Sequence, residues 1–127
     1  MSYRFRRLQL LLLPLLISLL AGCSQLGALE VWTGVSQQLD YVSLVEVEFR
    51  RSGYDIVGIY TLNGDLNGEG VIDGVIREGI IVATLSASTN CRFDFVGTAT
   101  ETTIKGDFEP NTCLGGYSGT WSLQRKR

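Results

Sequence analysis

The side chains with most chemistry to offer in this chain are thiols and carboxylates: three cysteines (Cys23, Cys91 and Cys113), thirteen acidic residues, and no histidine. Without histidine the usual general base is missing, and no serine stands beside an evident substitute, so nucleophilic catalysis has little to work with. Glu46 and Glu48 lie two positions apart, which on a strand places both carboxylates on one face about 7 Å from each other. Such pairs can hydrolyse glycosides, but there the two carboxylates flank a cleft and usually come from different elements. Here they alternate with Val45, Val47 and Phe49 and read as the wet face of a single strand. The expectation is a protein without enzymatic activity.

Two further groups of residues invite a binding role. Asp65-Leu66-Asn67-Gly68-Glu69-Gly70 resembles the first half of an EF-hand calcium loop, but its twelfth position is Ile76 where a bidentate glutamate belongs. A calcium site on Asp65, Asn67, Glu69 and Asp73 is thus set against the plainer reading, the polar side of a glycine-rich strand, and no metal or cofactor is expected. Trp32, Tyr54, Tyr60, Phe93, Phe95, Phe108, Tyr117 and Trp121 supply many rings for a short chain. They either line a ligand pocket or fill a core.

At the N-terminus, Arg4, Arg6 and Arg7 precede an apolar block, Leu8 to Leu20, broken only by Gln9, Pro14 and Ser18. The block is short for a spanning helix, which needs about 20 residues, and reads as a helical export signal. It ends in Leu20-Ala21-Gly22-Cys23. These four residues resemble the lipobox of bacterial lipoproteins. The resemblance implies diacylglycerol transfer to the Cys23 thiol, cleavage before Cys23 and acylation of the new amino group. Residues 1–22 are then a signal peptide, 23–30 a lipidated tether and 31–127 the domain. Each buried methylene contributes roughly 0.8 kcal/mol of membrane affinity and one myristoyl chain is marginal, so two or three chains hold the protein durably. An Asp after the cysteine tends to retain such proteins in the inner membrane. Ser24 therefore implies the outer membrane, facing the periplasm or the surface, or the outer leaflet where there is a single membrane.

Taking 22 residues from the 127 leaves 105, enough for one modest core. The leader carries three arginines away, so eight basic side chains face thirteen acidic ones. An acidic, histidine-free domain is a poor partner for nucleic acid, whose phosphates demand basic patches. The cluster Arg125-Lys126-Arg127 reads as a solvated tail, with contact to anionic lipid or peptidoglycan as the other possibility. Once Cys23 is assigned to lipid by resemblance, Cys91 and Cys113 remain. An even pair in an oxidising compartment reads as a disulfide, and two thiols without histidine are too few ligands for zinc.

What must position these groups is a set of strands, because no ten-residue stretch beyond Val31 shows helical periodicity while Val, Ile, Thr, Tyr and Phe abound. The expected strands are 31–38, 43–50, 54–62, 65–76, 80–86, 91–98, 102–108 and 117–124. Asn63-Gly64 is the strongest hairpin signal between them. Inward glycines at 68, 70 and 74 would let the fourth strand bend. The 54–62 strand is apolar on both faces, so its outer side is either covered by a neighbour or forms an exposed patch around Tyr54, Ile56, Ile59 or Tyr60. An all-β, eight-stranded antiparallel up-and-down meander closed into a small barrel follows, because closure removes both edges and turns the apolar face into an interior. In that order Cys91 and Cys113 fall at the same end, and Trp32's strand pairs with Trp121's.

Trp32, the meander, and Gly119-Thr120-Trp121-Ser122-Leu123 followed by Arg125 resemble the calycin-type barrels, which include lipocalins and streptavidin-like proteins. The resemblance implies such a barrel and carries over no ligand residues, since Trp32-Thr33-Gly34 departs from the Gly-x-Trp of lipocalins. Two functions suit such a domain. One is a lipid-anchored envelope module that binds a protein partner. The other is a carrier of a small apolar ligand, because an eight-stranded barrel is just wide enough either to be filled by side chains or to hold one such ligand.

Overall fold

The computed structural model describes residues 27–113 and 115–127. The expected export signal, the lipobox-like Leu20-Ala21-Gly22-Cys23 and the expected lipidation at Cys23 fall outside the described residues. Eight strands follow one another: β1 (Glu30–Gln38), β2 (Tyr41–Ser52), β3 (Asp55–Gly64), β4 (Gly68–Arg77), β5 (Ile80–Ala87), β6 (Arg92–Ala99), β7 (Thr103–Pro110) and β8 (Gly119–Arg125). Each pairs antiparallel with its sequence neighbour, and β1 pairs with β8, so the meander closes into a barrel. At the seam Trp32 stands opposite Arg125, and Ser36 opposite Trp121.

Closure works because nearly every strand alternates. On β2, Ser43, Val45, Val47 and Phe49 are buried while Leu44, Glu46 and Arg50 are exposed. Trp32, Phe49, Phe95, Ile56, Ile81, Ile104 and Leu123 are each under 2% exposed and fill the interior. Burying one such side chain fully stabilises by roughly 1.5–3 kcal/mol. Glycines admit the larger groups: a Cβ at Gly119 would strike the Phe108 ring, and one at Gly74 the carbonyl of Val82, where β4 crowds β5. The fourth strand thus does carry inward glycines, as its sequence indicates, though Gly68 has open space around it.

Two-residue turns connect several strands. Glu78 and Gly79 have φ of 54° and 77° between β4 and β5, the doubly left-handed geometry whose twist matches flanking strands. The β3–β4 connection differs from the expectation. Asn63 and Gly64 belong to β3, and the chain reverses over Asp65, Leu66 and Asn67. Side-chain bonds decide this: the Gly64 N–H donates to Asn67 Oδ1 at 3.2 Å, and the Val42 N–H donates to Asp65 Oδ2 at 3.0 Å. Ser43 Oγ adds bonds to the Leu66 backbone N–H and C=O, both 2.9 Å. Similarly, Arg51 and Ser52 extend β2 and Glu109 and Pro110 extend β7, where turns were expected.

Three side-chain placements also differ. Tyr117, expected to open the last strand, precedes β8 and is 55% exposed. Tyr54, on the β2–β3 turn, and Ile59 are exposed, in keeping with the expected patch. Ile56 and Tyr60 point inward and are buried, so the outward residues of β3 are Val57 and Ile59. Side chains alternate along the strand, and pairing with β2 and β4 turns Ile56 and Tyr60 inward and Val57 and Ile59 outward.

Candidate functional site

The two ends of the barrel are built differently. One end gathers the β1–β2, β3–β4, β5–β6 and β7–β8 connections. There Cys91 and Cys113 lie at disulfide-bonding distance, their Cα atoms 4.5 Å apart, tying the chain before β6 to the chain after β7. Just inside is an aromatic cluster around Trp121, with Tyr60 and Phe95 at ring-centroid distances of 5.4 Å each and Phe108 at 6.2 Å. The indole Nε1 of Trp121 donates to Ser36 Oγ at 3.1 Å. Burial raises the Tyr60 hydroxyl above the usual tyrosine pKa.

The opposite end is an open, charged mouth of about 1100 Å³. Glu30, nearly inaccessible, accepts from Arg51 Nε at 2.7 Å and Nη2 at 3.2 Å, and Arg125 approaches to 3.9 Å. These groups roof a stacked pair, Trp32 on Phe49 at 6.2 Å, with the Arg51 guanidinium 5.7 Å from the Phe49 centroid. Trp32 Nε1 is buried and has no hydrogen-bond partner among the described residues. Around the rim stand Arg77, whose guanidinium lies 4.9 Å from the Tyr54 ring, and Lys126 and Arg127.

The outer wall is also two-sided. Across β3 to β6 the exposed aliphatic side chains Val57, Ile59, Val71, Val75, Ile80, Val82 and Val96 point outward. They are contiguous, because Ile59 is register partner to Val71, Val75 to Val82, and Val82 to Val96. Asp73 stands among them, opposite Val57 and Thr84, and Asp94 borders them on β6. On the far side, β7 and β8 present Lys105, Asp107, Glu109, Thr120, Ser122 and Gln124. An apolar interior with charge on much of the outside is the reverse of outer-membrane barrels, which face lipid with apolar residues and line a polar lumen.

The residues singled out in the sequence are placed as follows. Glu46 and Glu48 sit on the outer face of β2, opposite threonines in one case and Val31 and Ile59 in the other; Glu46 lines an open groove of about 420 Å³ that Glu48 does not share. Asp65 and Asn67 are engaged in the turn, while Glu69 and Asp73 are four residues apart on the outside of β4. Among the described residues no three Asp, Glu or Cys side chains converge as metal ligands. Trp32, Tyr60, Phe95, Phe108 and Trp121 are core, Phe93 packs partly buried against it, and Tyr54 and Tyr117 are not core. The Glu30–Arg51–Arg125 group escaped sequence reading: closure places β1 between β2 and β8, but only the register brings these three side chains together. No family model matches the chain, and no similarity to curated proteins or to solved structures is found.

Proposed function

We propose that the protein is a lipid-anchored envelope lipoprotein, acylated at Cys23, whose barrel serves as a non-enzymatic module that binds a protein partner through the outer wall of β3 to β6. The observation that carries this reading is that wall: seven aliphatic side chains, adjacent across four strands and each 39% or more exposed. Isolated exposed aliphatics are ordinary, but a contiguous patch is a mark of an interaction surface. The second reading, a carrier of a small apolar ligand, requires an internal cavity of about 300 Å³ or more. Trp32, Tyr60, Phe95, Phe108 and Trp121 occupy the space such a ligand would need, which favours the wall.

The test is site-directed photocrosslinking in native membranes from Ile59 and Val82, with Ser122 on the polar wall as reference. A discrete adduct from the first two positions, absent from Ser122 and abolished by Val71→Glu, is the expected result. Equal labelling from both walls sinks the proposal. For the anchor, intact mass of the membrane-extracted protein should show acyl chains on a chain starting at Cys23; a soluble, unmodified product would refute it.

A further inference from the structure

We infer that the charged mouth docks on anionic phospholipid headgroups of the membrane that holds the Cys23 lipid, so that the barrel stands with its disulfide end away from the bilayer. This rests on acylation of Cys23. The described chain begins at the mouth: the Gly27 N–H donates to the Arg51 carbonyl at 2.8 Å, and Arg50 Nη1 donates to the Gly27 carbonyl at 3.2 Å. Only four residue steps separate Gly27 from Cys23, and they span at most about 14 Å. The mouth is therefore held within one to two Debye lengths of the headgroups, about 8 Å each at physiological salt.

Charge matches that placement. Five basic side chains and three carboxylates line the mouth, whereas the rest of the chain from Cys23 onward carries three basic and ten acidic side chains. An anionic surface attracts the mouth and repels the remainder. Glu30 is already engaged by Arg51 and Arg125, while Arg77, Lys126 and Arg127 form no ion pair among the described residues. Tyr54 adds an exposed ring beside Arg77, the kind of amphipathic group that collects at membrane interfaces.

Lys105 and Lys126 are the lysines of the chain, one on the outer wall and one at the mouth, and they supply the test. The acylated protein is reconstituted in nanodiscs of phosphatidylcholine, with or without phosphatidylglycerol, and amine labelling of Lys126 is measured against Lys105. Each basic side chain near an anionic surface is worth about five-fold in surface affinity. The Lys126 to Lys105 labelling ratio should therefore fall by roughly five-fold or more with phosphatidylglycerol. High salt or Arg77→Gln with Arg127→Gln should restore it. An unchanged ratio on protein whose mass confirms acylation overturns the docking alone; an unacylated Cys23 overturns docking and anchor together. Protection that needs added peptidoglycan instead of anionic lipid also overturns the docking.

Discussion

Trp121 and Trp32 sit on the two strands that close the barrel, are 3% and 0% exposed, and yet are held in different ways. Trp121 is surrounded by rings and its indole N–H reaches Ser36. Trp32 is stacked on Phe49 beneath an ion pair and its N–H has no partner among the described residues. Among the described residues the disulfide end leaves no buried side-chain donor or acceptor unpaired, and its chain is crosslinked. Among the described residues the mouth keeps a donor without a partner and three cations without an ion pair under an open rim. A desolvated donor without a partner costs about 1–3 kcal/mol, so the mouth is the less optimised half of the core. That is where a surface shaped by contact outside the barrel is expected.

Three experiments test this contrast, the largest effect first. Replacing Cys91 and Cys113 by serine opens a crosslink with a sequence separation of 22, and the chain-entropy model gives a loss of about 3 kcal/mol. Urea unfolding of the double variant should show it, and an unchanged midpoint would show that the disulfide end does not depend on the crosslink. Next, Ser36→Ala strands the Trp121 donor and should cost about 2 kcal/mol, while Trp32→Phe deletes a donor that has no partner and should stay within about 1 kcal/mol. If the two variants lose equal stability, the hydrogen bond is not what separates the tryptophans.

The smallest effect is confined to alkaline pH. Burial raises the Tyr60 pKa in the folded state, so the folded protein favours the neutral phenol. That stabilisation is complete below the unfolded pKa of about 10 and is lost as pH rises through the higher folded value. Tyr60→Phe should therefore flatten the alkaline limb of the stability curve above about pH 10. Parallel wild-type and variant curves of unfolding midpoint against pH would contradict a buried titrating phenol beside Trp121.

Much of this architecture is legible along the chain. Alternation at Val45, Val47 and Phe49 against Glu46 and Arg50 is a local signal, because side chains of a strand change face at every residue. Eight such segments with short connections leave closure as the way to remove both edges, and from closure follow the β1–β8 seam and the meeting of Cys91 with Cys113. The absence of histidine and the lone-strand setting of Glu46 and Glu48 also speak from composition and spacing.

Other features exist only once strands are side by side. The β3–β4 reversal moved from Asn63-Gly64 to Asp65–Asn67 because Ser43 and Val42, more than twenty positions away, bond to that turn. Which residues of a strand apolar on both faces look outward was decided by register, and it placed Ile59 in the wall and Tyr60 in the core. The mouth is the clearest case, since Glu30, Arg51 and Arg125 come from three strands and carry no common motif. Local sequence determined that there are eight alternating strands. Long-range pairing decided which faces and which charges share an end, because the energies that distinguish those arrangements arise between residues far apart in the chain.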